Sequence, residues 1–421
     1  MDRIILKDGR EYELIAFIRL IFICLILSQA LLSQDYFPVR IELSESAGLE
    51  RILEYVELDL QVPFDLLKDS LANFVVTDSH ENISQFCQIV HRQDFPDRNL
   101  TILKVLFPVS LQANQSKVVA LDIKKKFEVP TSDLKLSGTG FDRIIENKFY
   151  RADLSKSSQS EAKNHDSGQL RELLIKMGFN QLLFRTENRL HWGPNFQKEG
   201  LEYYETIAGW DNPKNYQFDS GPYLVETIRQ DKAPAHPEIL LSAVYKFYSN
   251  LPYFVFYSEM DFIDNAWIFL LRNDEMTMDS MFTHVAFQRV NGMVESYPFS
   301  QRYQYLEKNP IGNDAPWLCF YHQEKRYAFG SIRLRYDLTN QFGQNSPAYQ
   351  LFTKISDGAE GGKYWNRRLI NERLTYVPRG SRYTEKNAYL VFEIDTTNTF
   401  KNIIYWIERL QNPIQSRILK N

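Results

Sequence analysis

Apolar and polar residues alternate along much of the chain with a period of two, which is typical of half-buried β-strands. The alternation is strict over residues 55–60, and it also marks residues 38–43, 73–78, 103–111 and 118–123. None of these stretches shows the 3.6-residue apolar period that a long helix would have. The pattern therefore predicts a small β domain over residues 36–136.

A larger set of strands follows a polar segment with Pro130, Gly138 and Gly140, residues that are typical of a linker. Residues 400–410 carry apolar positions at helical spacing before Pro413. Long antiparallel strands separated by turns predict a large sandwich over residues 138–412. Its predicted strands lie at residues 181–185, 223–230, 239–248, 253–260, 267–272, 282–289, 317–322, 327–336 and 389–394.

Residues 1–34 have the pattern of an export signal. Arg19 precedes an apolar run at residues 20–27, and small or polar residues follow from Ser28 onwards. The run is too short to span a bilayer comfortably. We expect a mature protein that begins near Asp35, is periplasmic or secreted, and has no stable membrane insertion after signal removal. A single uncleaved anchor is the alternative.

The composition favours a carbohydrate ligand over a nucleic acid. Aromatic residues make up 14% of the chain, which suits both a β-rich core and platforms for sugar rings. The formal net charge of −4 argues against a nucleic-acid partner. Cys24, Cys87 and Cys319 have no zinc-site spacing. We therefore expect free thiols at the last two positions, and we predict neither a metal nor a cofactor.

Arginine and aromatic side chains are concentrated at residues 364–368 and 379–383. Guanidinium groups bind carboxylates or sulfates and aromatic rings cover sugar faces, so these segments suit an anionic, ring-shaped ligand. A surface loop with ordinary ion pairs is the alternative. The predicted substrate-binding residues, here and elsewhere in the chain, are Trp192, Asn273, Arg289, Trp365, Arg367, Arg368, Arg382 and Tyr383.

Two parts of the chain resemble known carbohydrate-active families. Residues 51–121, through their segments 56–63, 85–93 and 104–111, resemble the small β-barrel domain that opens exo-rhamnogalacturonan-lyase-like proteins. Residues 145–151, 221–223 and 245–248 are similar to the opening of the galactose-mutarotase-like β-supersandwich of many polysaccharide lyases. The predicted fold is mostly β: a small N-terminal β-barrel-like domain, then a large antiparallel β-supersandwich, with few helices and no α/α toroid.

The resemblance implies an enzyme that eliminates a sugar or water from uronic-acid-containing, ulvan-like oligosaccharides, as a lyase or a dehydratase. Because the large α/α toroid of many such lyases is missing, it implies a small exo-acting or oligosaccharide-directed enzyme. The expected partner is an anionic oligosaccharide, and no nucleic acid is expected. The sequence predicts no oligomeric state.

Elimination at a uronic acid needs a cation or donor for the carboxylate, a base for the C5 proton and an acid for the leaving oxygen. Arg, His and Tyr can fill these roles without a metal. We expect Arg367 or Arg368 to bind the carboxylate. The predicted catalytic residues are His191, His284, Tyr321, His322 and Tyr364, with His284 or His191 as base and Tyr364 or Tyr321 as acid. A lone histidine on a strand is more often structural, and that alternative stays open.

Residues 271–279 are dense in carboxylates and predict a turn with a short capped helix. In the functional interpretation Asn273 neutralises a substrate carboxylate and Glu275 acts as an acid or base. Two other function classes remain open. A glycoside hydrolase would use Glu259, Asp274 or Glu275, and a non-catalytic glycan-binding protein would stack sugars on Trp192, Trp210, Trp317 and Trp365.

Overall fold

The protein is mostly β, with antiparallel strands in four sheets and few helices, and the predicted fold class is confirmed. The predicted export segment lies outside the described residues. In the part of the chain that is described, no helix has both the length and the apolar character needed to cross a membrane. The computed structural model describes residues 36–67, 73–78, 83–124, 126–154, 168–170, 172–176, 181–182, 194–207, 216–278, 280–301, 305–306, 308–358 and 361–419.

The first sheet is nearly closed and barrel-like, and it encloses its own apolar core. Its strand order is β2-β5-β4-β3-β6-β1-β28, so the last strand of the chain returns to pair with the first. The strands are β1 (Val39–Ser44), β2 (Arg51–Val62), β3 (Asn73–Asp78), β4 (Ser84–Phe95), β5 (Leu100–Leu111), β6 (Ser116–Lys124) and β28 (Gln415–Ile418). Short 3-10 turns occupy Phe64–Leu67 and Pro96–Arg98 in this region.

Two further sheets follow along the chain. A five-stranded sheet contains β7 (Lys135–Thr139), β8 (Asp142–Glu146), β9 (Tyr150–Asp153), β10 (Glu172–Ile175) and β11 (Gln181–Leu182). A seven-stranded sheet contains β12 (Asn195–Lys198), β13 (Glu205–Thr206), β18 (Ala266–Met278), β21 (Ile311–Gly312), β24 (Phe352–Asp357), β25 (Lys363–Ile370) and β26 (Thr375–Val377). Residues 135–139, which the sequence pattern assigns to a linker, thus form a strand. The domain boundary itself stays a prediction.

The fourth sheet has nine strands, in the order β14-β15-β16-β17-β27-β23-β22-β19-β20. They are β14 (Tyr216–Ser220), β15 (Leu224–Ala233), β16 (His236–Tyr248), β17 (Tyr253–Phe262), β19 (His284–Gln288), β20 (Val294–Pro298), β22 (Trp317–Tyr321), β23 (Tyr327–Asp337) and β27 (Arg382–Glu393). A 3-10 turn at Phe299–Gln301 follows β20, and helix α1 (Lys401–Gln411) follows β27.

Strand alternation divides the nine-stranded sheet into two faces. The inner face joins residues of the five- and seven-stranded sheets in the largest apolar cluster, which includes Phe256, Trp365 and Tyr389. The opposite side, called the outer face below, is apolar at one end, where Ile403 and Ile407 of α1 pack against it. The first sheet packs against the nine-stranded sheet at Gln88. The buried Gln88 side chain accepts hydrogen bonds from the backbone amides of Tyr223 and Leu224, and it donates one to Leu224 O at 2.8 Å.

The prediction of a turn and short helix at residues 271–279 is wrong, because β18 continues through this run to Met278. The register shifts between Asn273 and Met276 opposite β25, which is a β-bulge. Asp274 sits in the bulge with φ 44°, a left-handed conformation that is uncommon for a residue other than glycine. The bulge turns its carboxylate into the interior, where it is fully buried.

The buried Asp274 carboxylate accepts five side-chain hydrogen bonds in the interior of the sandwich. Its Oδ1 accepts from Ser331 Oγ at 3.0 Å, Trp365 Nε1 at 3.1 Å and Tyr389 OH at 3.1 Å. Its Oδ2 accepts from Arg333 Nε at 3.1 Å and Tyr336 OH at 2.8 Å. Asp274 and Trp365 belong to the seven-stranded sheet and the other donors to the nine-stranded sheet. One carboxylate therefore ties the two sheets together.

Replacement of this carboxylate by an amide should destabilise the fold strongly. Asp274→Asn leaves the buried Arg333 without its counter-ion and points an NH2 group at donors, so we expect a loss of about 3–5 kcal/mol. Urea denaturation followed by circular dichroism measures it. The matched control is Asp264→Asn at an exposed turn, where a change below about 0.5 kcal/mol is expected. Equal stability of the two variants would show that the Asp274 carboxylate does not stabilise the contact between the two sheets.

Candidate functional site

A row of hydrogen-bonding side chains crosses five neighbouring strands on the outer face of the nine-stranded sheet. The strand register aligns Gln230 on β15, Ser242 on β16, Glu259 on β17, Thr384 on β27 and Asp337 on β23. Side chains at directly opposed positions lie close together on one face of a sheet. The row therefore forms a continuous polar strip, which we call the outer strip.

Glu259 lies at the centre of the outer strip and has three polar neighbours. Tyr257 OH donates to Glu259 Oε2 at 2.9 Å, and Thr384 Oγ1 donates to the same oxygen at 3.4 Å. Arg382 Nε lies 3.6 Å from Glu259 Oε1 and 2.6 Å from Asp261 Oδ1, while Arg382 Nη2 is 3.3 Å from Asp261 Oδ2. A single guanidinium thus spans both carboxyl groups.

The environment of Glu259 raises the pKa of its carboxyl group towards neutral pH. Burial first, and the negative charge of Asp261 second, raise the pKa of Glu259 to about 7, while Arg382 acts in the opposite direction. Burial and the Glu259 charge raise the pKa of Tyr257, so the phenol keeps its proton. The Glu259 side chain is only 8% exposed, whereas those of Asp261 and Arg382 are 24% and 19% exposed. The site therefore borders solvent, and a carboxyl titrating near neutral pH is suited to proton transfer.

Positive side chains lie in the next row of the same face. The register places Lys386 opposite Tyr257 on one side and opposite Arg335 on the other. Burial first, and the Lys246 charge second, lower the pKa of Lys386. Lys246 Nζ in turn contacts Glu57 Oε1 of the first sheet at 2.6 Å, so that sheet borders this end of the row. The face thus combines a proton-transfer carboxyl with cations that suit an anionic ligand.

The described residues contain no cluster of three or more His, Cys, Asp or Glu side chains arranged to hold a metal ion. Cys87 and Cys319 are buried free thiols, and burial raises the pKa of both. The outer strip offers a carboxyl and a phenol group in contact, Glu259 and Tyr257, which are groups that can transfer protons.

Three of the predicted catalytic residues lie together, away from the outer strip. His284 and Tyr321 are register partners with stacked rings 5.0 Å apart, and His322 follows directly. His284 Nδ1 is 2.8 Å from Thr283 Oγ1, and Tyr321 OH is 2.7 Å from Ser296 Oγ. Burial first, and the His322 charge second, lower the pKa of His284. The catalytic roles of these residues stay predictions.

The arginine-rich segment on β25 does not form one surface. Trp365 and Arg367 point into the interior, where Arg367 Nη1 donates to Asn273 Oδ1 at 3.3 Å. The residues that alternate with them, Tyr364 and Arg368, point to the other side of the seven-stranded sheet. Adjacent positions on a strand face opposite ways, so one ligand cannot contact all of this segment.

The remaining predicted residues are distributed over separate regions. Arg382 belongs to the outer strip, but Tyr383 points inward and donates from its hydroxyl to Pro347 O at 2.6 Å. Arg289 pairs with Glu295 and lines a cavity of about 290 Å³. His191 and Trp192 lie outside the described residues. The structure therefore does not bring the predicted set together in one shared cavity, and their substrate-binding roles stay predictions.

The sequence analysis singled out Glu259 and Arg382 but missed Tyr257, Asp261 and Thr384. The sequence does contain a signal for Tyr257 and Asp261. Polar residues at every second position of 257–261 mark one face of a strand that is otherwise apolar. Nothing in the sequence aligns that face with Thr384, because the pairing joins positions 125 residues apart.

Comparison of the sequence with protein-family models and with curated proteins gives no match. Solved structures with a TM-score above 0.5 share the fold. A glycosyl hydrolase family 38 protein from Enterococcus faecalis has a TM-score of 0.52 and 11% identity over 92% of this chain and 48% of its own. An alpha-mannosidase from Enterococcus faecalis V583 has a TM-score of 0.53 and 12% identity over 91% of this chain and 46% of its own. A galactose mutarotase-like protein from Lactobacillus casei ATCC 334 has a TM-score of 0.35 and 10% identity over 59% of this chain and 99% of its own.

The chain thus spans about half the length of the two Enterococcus faecalis proteins that it matches. At 11% and 12% identity this likeness establishes a shared β-sandwich fold of a kind found in carbohydrate-active enzymes. It assigns no activity to individual residues.

Glu259 should make the stability of the protein depend on pH. Its pKa of about 7 in the folded state is above the ordinary value of 4.5, so the stability associated with this group is complete below pH 4.5 and is lost as the pH rises through about 7. The loss amounts to up to about 3 kcal/mol. We expect Glu259→Gln to lose less stability than the wild type between pH 5 and pH 8, as measured by urea denaturation across that window.

The control for this measurement is Glu408→Gln, at an exposed position of α1. Because other buried acids also titrate, the informative quantity is the difference between each variant and the wild type at each pH. If the Glu259→Gln and Glu408→Gln difference curves coincide, Glu259 does not have the raised pKa.

Proposed function

We propose that the protein is a carbohydrate-active enzyme that eliminates a sugar or water from a uronic-acid-containing, ulvan-like oligosaccharide, with Glu259 as its proton-transfer group. The observation that carries the proposal is a carboxyl with a pKa of about 7, hydrogen-bonded to a neutral phenol and flanked by cations. The shared β-sandwich fold is consistent with a carbohydrate substrate.

The proposed reaction begins at the carbon next to the substrate carboxylate. Arg335, whose side chain is 60% exposed, and Lys386 attract this carboxylate and make the C5 proton more acidic. The ionised form of Glu259 removes that proton. The electron pair of the C5–H bond forms the C4–C5 double bond as the bond from C4 to the leaving oxygen breaks.

Tyr257 completes the proton balance. Its neutral phenol protonates the leaving oxygen, which departs as a sugar hydroxyl in a lyase or as water in a dehydratase. The protonated Glu259 returns a proton to the phenolate through their 2.9 Å hydrogen bond, so both side chains regain their starting states. One residue pair thus acts as base and acid in a single cycle.

Hydrolysis by two carboxyl groups fits the same residues less well. Glycosidases hold their carboxyls about 5–5.5 Å apart in retaining enzymes and about 6.5–9.5 Å apart in inverting ones. Arg382 Nε instead lies 3.6 Å from Glu259 Oε1 and 2.6 Å from Asp261 Oδ1. One guanidinium therefore pairs with both carboxyl groups, and this occupies the space in which a glycosidase would hold the scissile bond.

The proposal includes the location and the partner of the protein. An anionic oligosaccharide is its substrate, and the pattern in residues 1–34 would direct it to the periplasm or outside the cell. N-terminal sequencing of the protein recovered from the periplasm and the medium tests export. A chain that stays in the cytoplasm with residues 1–34 intact would refute that part of the proposal.

Loss of the Glu259 carboxylate should abolish turnover with the fold intact. We expect Glu259→Gln and Tyr257→Phe to lower the rate by about 10²–10⁴-fold, the usual contribution of a general acid or base. The assay follows the ultraviolet absorbance of the new double bond on polyuronide oligosaccharides. Glu408→Gln is the control and should keep the wild-type rate.

The same assay separates the alternatives. Reducing sugar released without new ultraviolet absorbance would replace elimination by hydrolysis. Calorimetric binding without any turnover would identify a glycan-binding protein. Elimination that persists at the wild-type rate in Glu259→Gln would move the active site elsewhere, with the His284, Tyr321 and His322 cluster as the next set to test.

A further inference from the structure

A second polar cluster lies on the seven-stranded sheet, on the side that faces away from the interior. Asn195 on β12, Arg272 on β18 and Arg368 on β25 are successive register partners on three neighbouring strands. Asn366 lies two residues before Arg368 and points to the same side. Leu271, the residue before Arg272, packs in the apolar core instead. The four polar side chains thus share one small area, which we call the arginine row.

The arginine row is buried, and several of its polar atoms lack hydrogen-bond partners among the described residues. Asn195 and Asn366 are 0% exposed, Arg368 is 1% exposed and Arg272 is 6% exposed. Within the described part of the chain, both amide atoms of each asparagine and Nε of each arginine have no hydrogen-bond partner, while Arg272 Nη1 donates to Glu275 Oε2 at 3.3 Å. Buried polar groups are nearly always bonded, and each unmet bond costs about 1–3 kcal/mol. A concentration of unmet donors at one place is the arrangement expected where a polar ligand binds.

The two guanidiniums of the arginine row lie beside two carboxylates, of which only Glu275 is buried. Glu275 Oε2 lies 3.3 Å from Arg272 Nη1, whereas the ion-pair partner of Arg368 is the exposed Glu372. Burial first, and the Arg272 charge second, lower the pKa of Arg368 to about 10. The two cations therefore disfavour each other, and a bound anion would relieve that repulsion.

Both guanidiniums come close to solvent-exposed side chains. Arg272 Cζ lies 4.8 Å from the ring centroid of Tyr204, a residue that is 36% exposed. Arg368 Nη1 lies 3.5 Å from Glu372 Oε1, an ion pair without hydrogen-bond geometry, and the Glu372 side chain is 57% exposed.

We propose that the arginine row is a binding site for the oxyanion of a small ligand, either the carboxylate of a uronic acid or the sulfate of a sulfated sugar. The planar edge of a guanidinium matches the oxygens of both groups, and the two asparagine amides add donors and acceptors for neighbouring hydroxyls. The row lies on a different sheet from the outer strip, so this site does not depend on the reaction proposed for Glu259.

The test is titration calorimetry of the full chain with glucuronate, glucose 6-sulfate and glucose, at matched ionic strength set with sodium chloride. Glucuronate or glucose 6-sulfate should bind and glucose should not. Loss of a charge-assisted bond in Arg368→Gln should weaken binding by about 10–100-fold. The matched control is Arg373→Gln, an exposed arginine five residues along, which should bind as the wild type does.

Each outcome decides the proposal. Binding of either anion, lost in Arg368→Gln but kept in Arg373→Gln and Glu259→Gln, supports it and identifies the anion class. Binding that survives Arg368→Gln but disappears in Glu259→Gln, or no preference for the anions over glucose, overturns it. If Arg368→Gln does not fold, Arg368→Lys keeps the charge without the planar edge and should bind about tenfold more weakly than the wild type.

Discussion

The Asp274 carboxylate is the interaction on which the rest of the sandwich depends. A charge taken out of water destabilises a protein unless donors and a counter-ion replace the lost hydration. Here five donors do so, among them the Arg333 guanidinium as the counter-ion, and four of the five belong to the opposing sheet. The left-handed bulge is what directs this carboxylate inward. These bonds fix the position of one sheet relative to the other, which apolar packing alone does not specify.

The interior network and the outer strip occupy the same strands with opposite side-chain directions. On β17, Ser258 points inward and bonds Glu385 Oε1 at 2.8 Å, while Glu259 points outward. On β27, Glu385 accepts from the Asp274 amide, while the preceding residue, Thr384, contacts Glu259. Burial first, and the Asp274 charge second, raise the pKa of Glu385 to about 8. The backbone beneath the outer strip is thus held from behind by bonded, buried groups, which keeps Glu259 and its partners in place.

The sequence predicts local structure more readily than the arrangement of side chains from distant strands, and strand geometry explains the difference. Period-two alternation locates strands such as β16 and β17, because one apolar face is visible within a few residues. Arg367 and Arg368 are adjacent in a sequence segment that predicts one binding surface, yet alternation places them on opposite sides of a sheet. The density of carboxylates at residues 271–279 predicts a turn with a short helix, whereas the structure continues the strand through a bulge. Only the three-dimensional structure shows donors from other strands converging on Asp274, and only strand register aligns Glu259 with Thr384.

The two sets of buried polar groups in the sandwich differ in whether their hydrogen bonds are made. Around Asp274 both carboxylate oxygens have partners, so a ligand entering there would have to replace good bonds with others, for no net gain. In the arginine row both asparagine amides and the Nε atoms of both arginines have no hydrogen-bond partner among the described residues, so the same kind of ligand would supply the missing partners. Buried polar atoms without hydrogen-bond partners destabilise a fold. Selection for stability alone would supply partners for these atoms or replace their residues. Hydrogen-bond satisfaction thus separates the groups that hold this fold together from those available for binding, and burial alone does not.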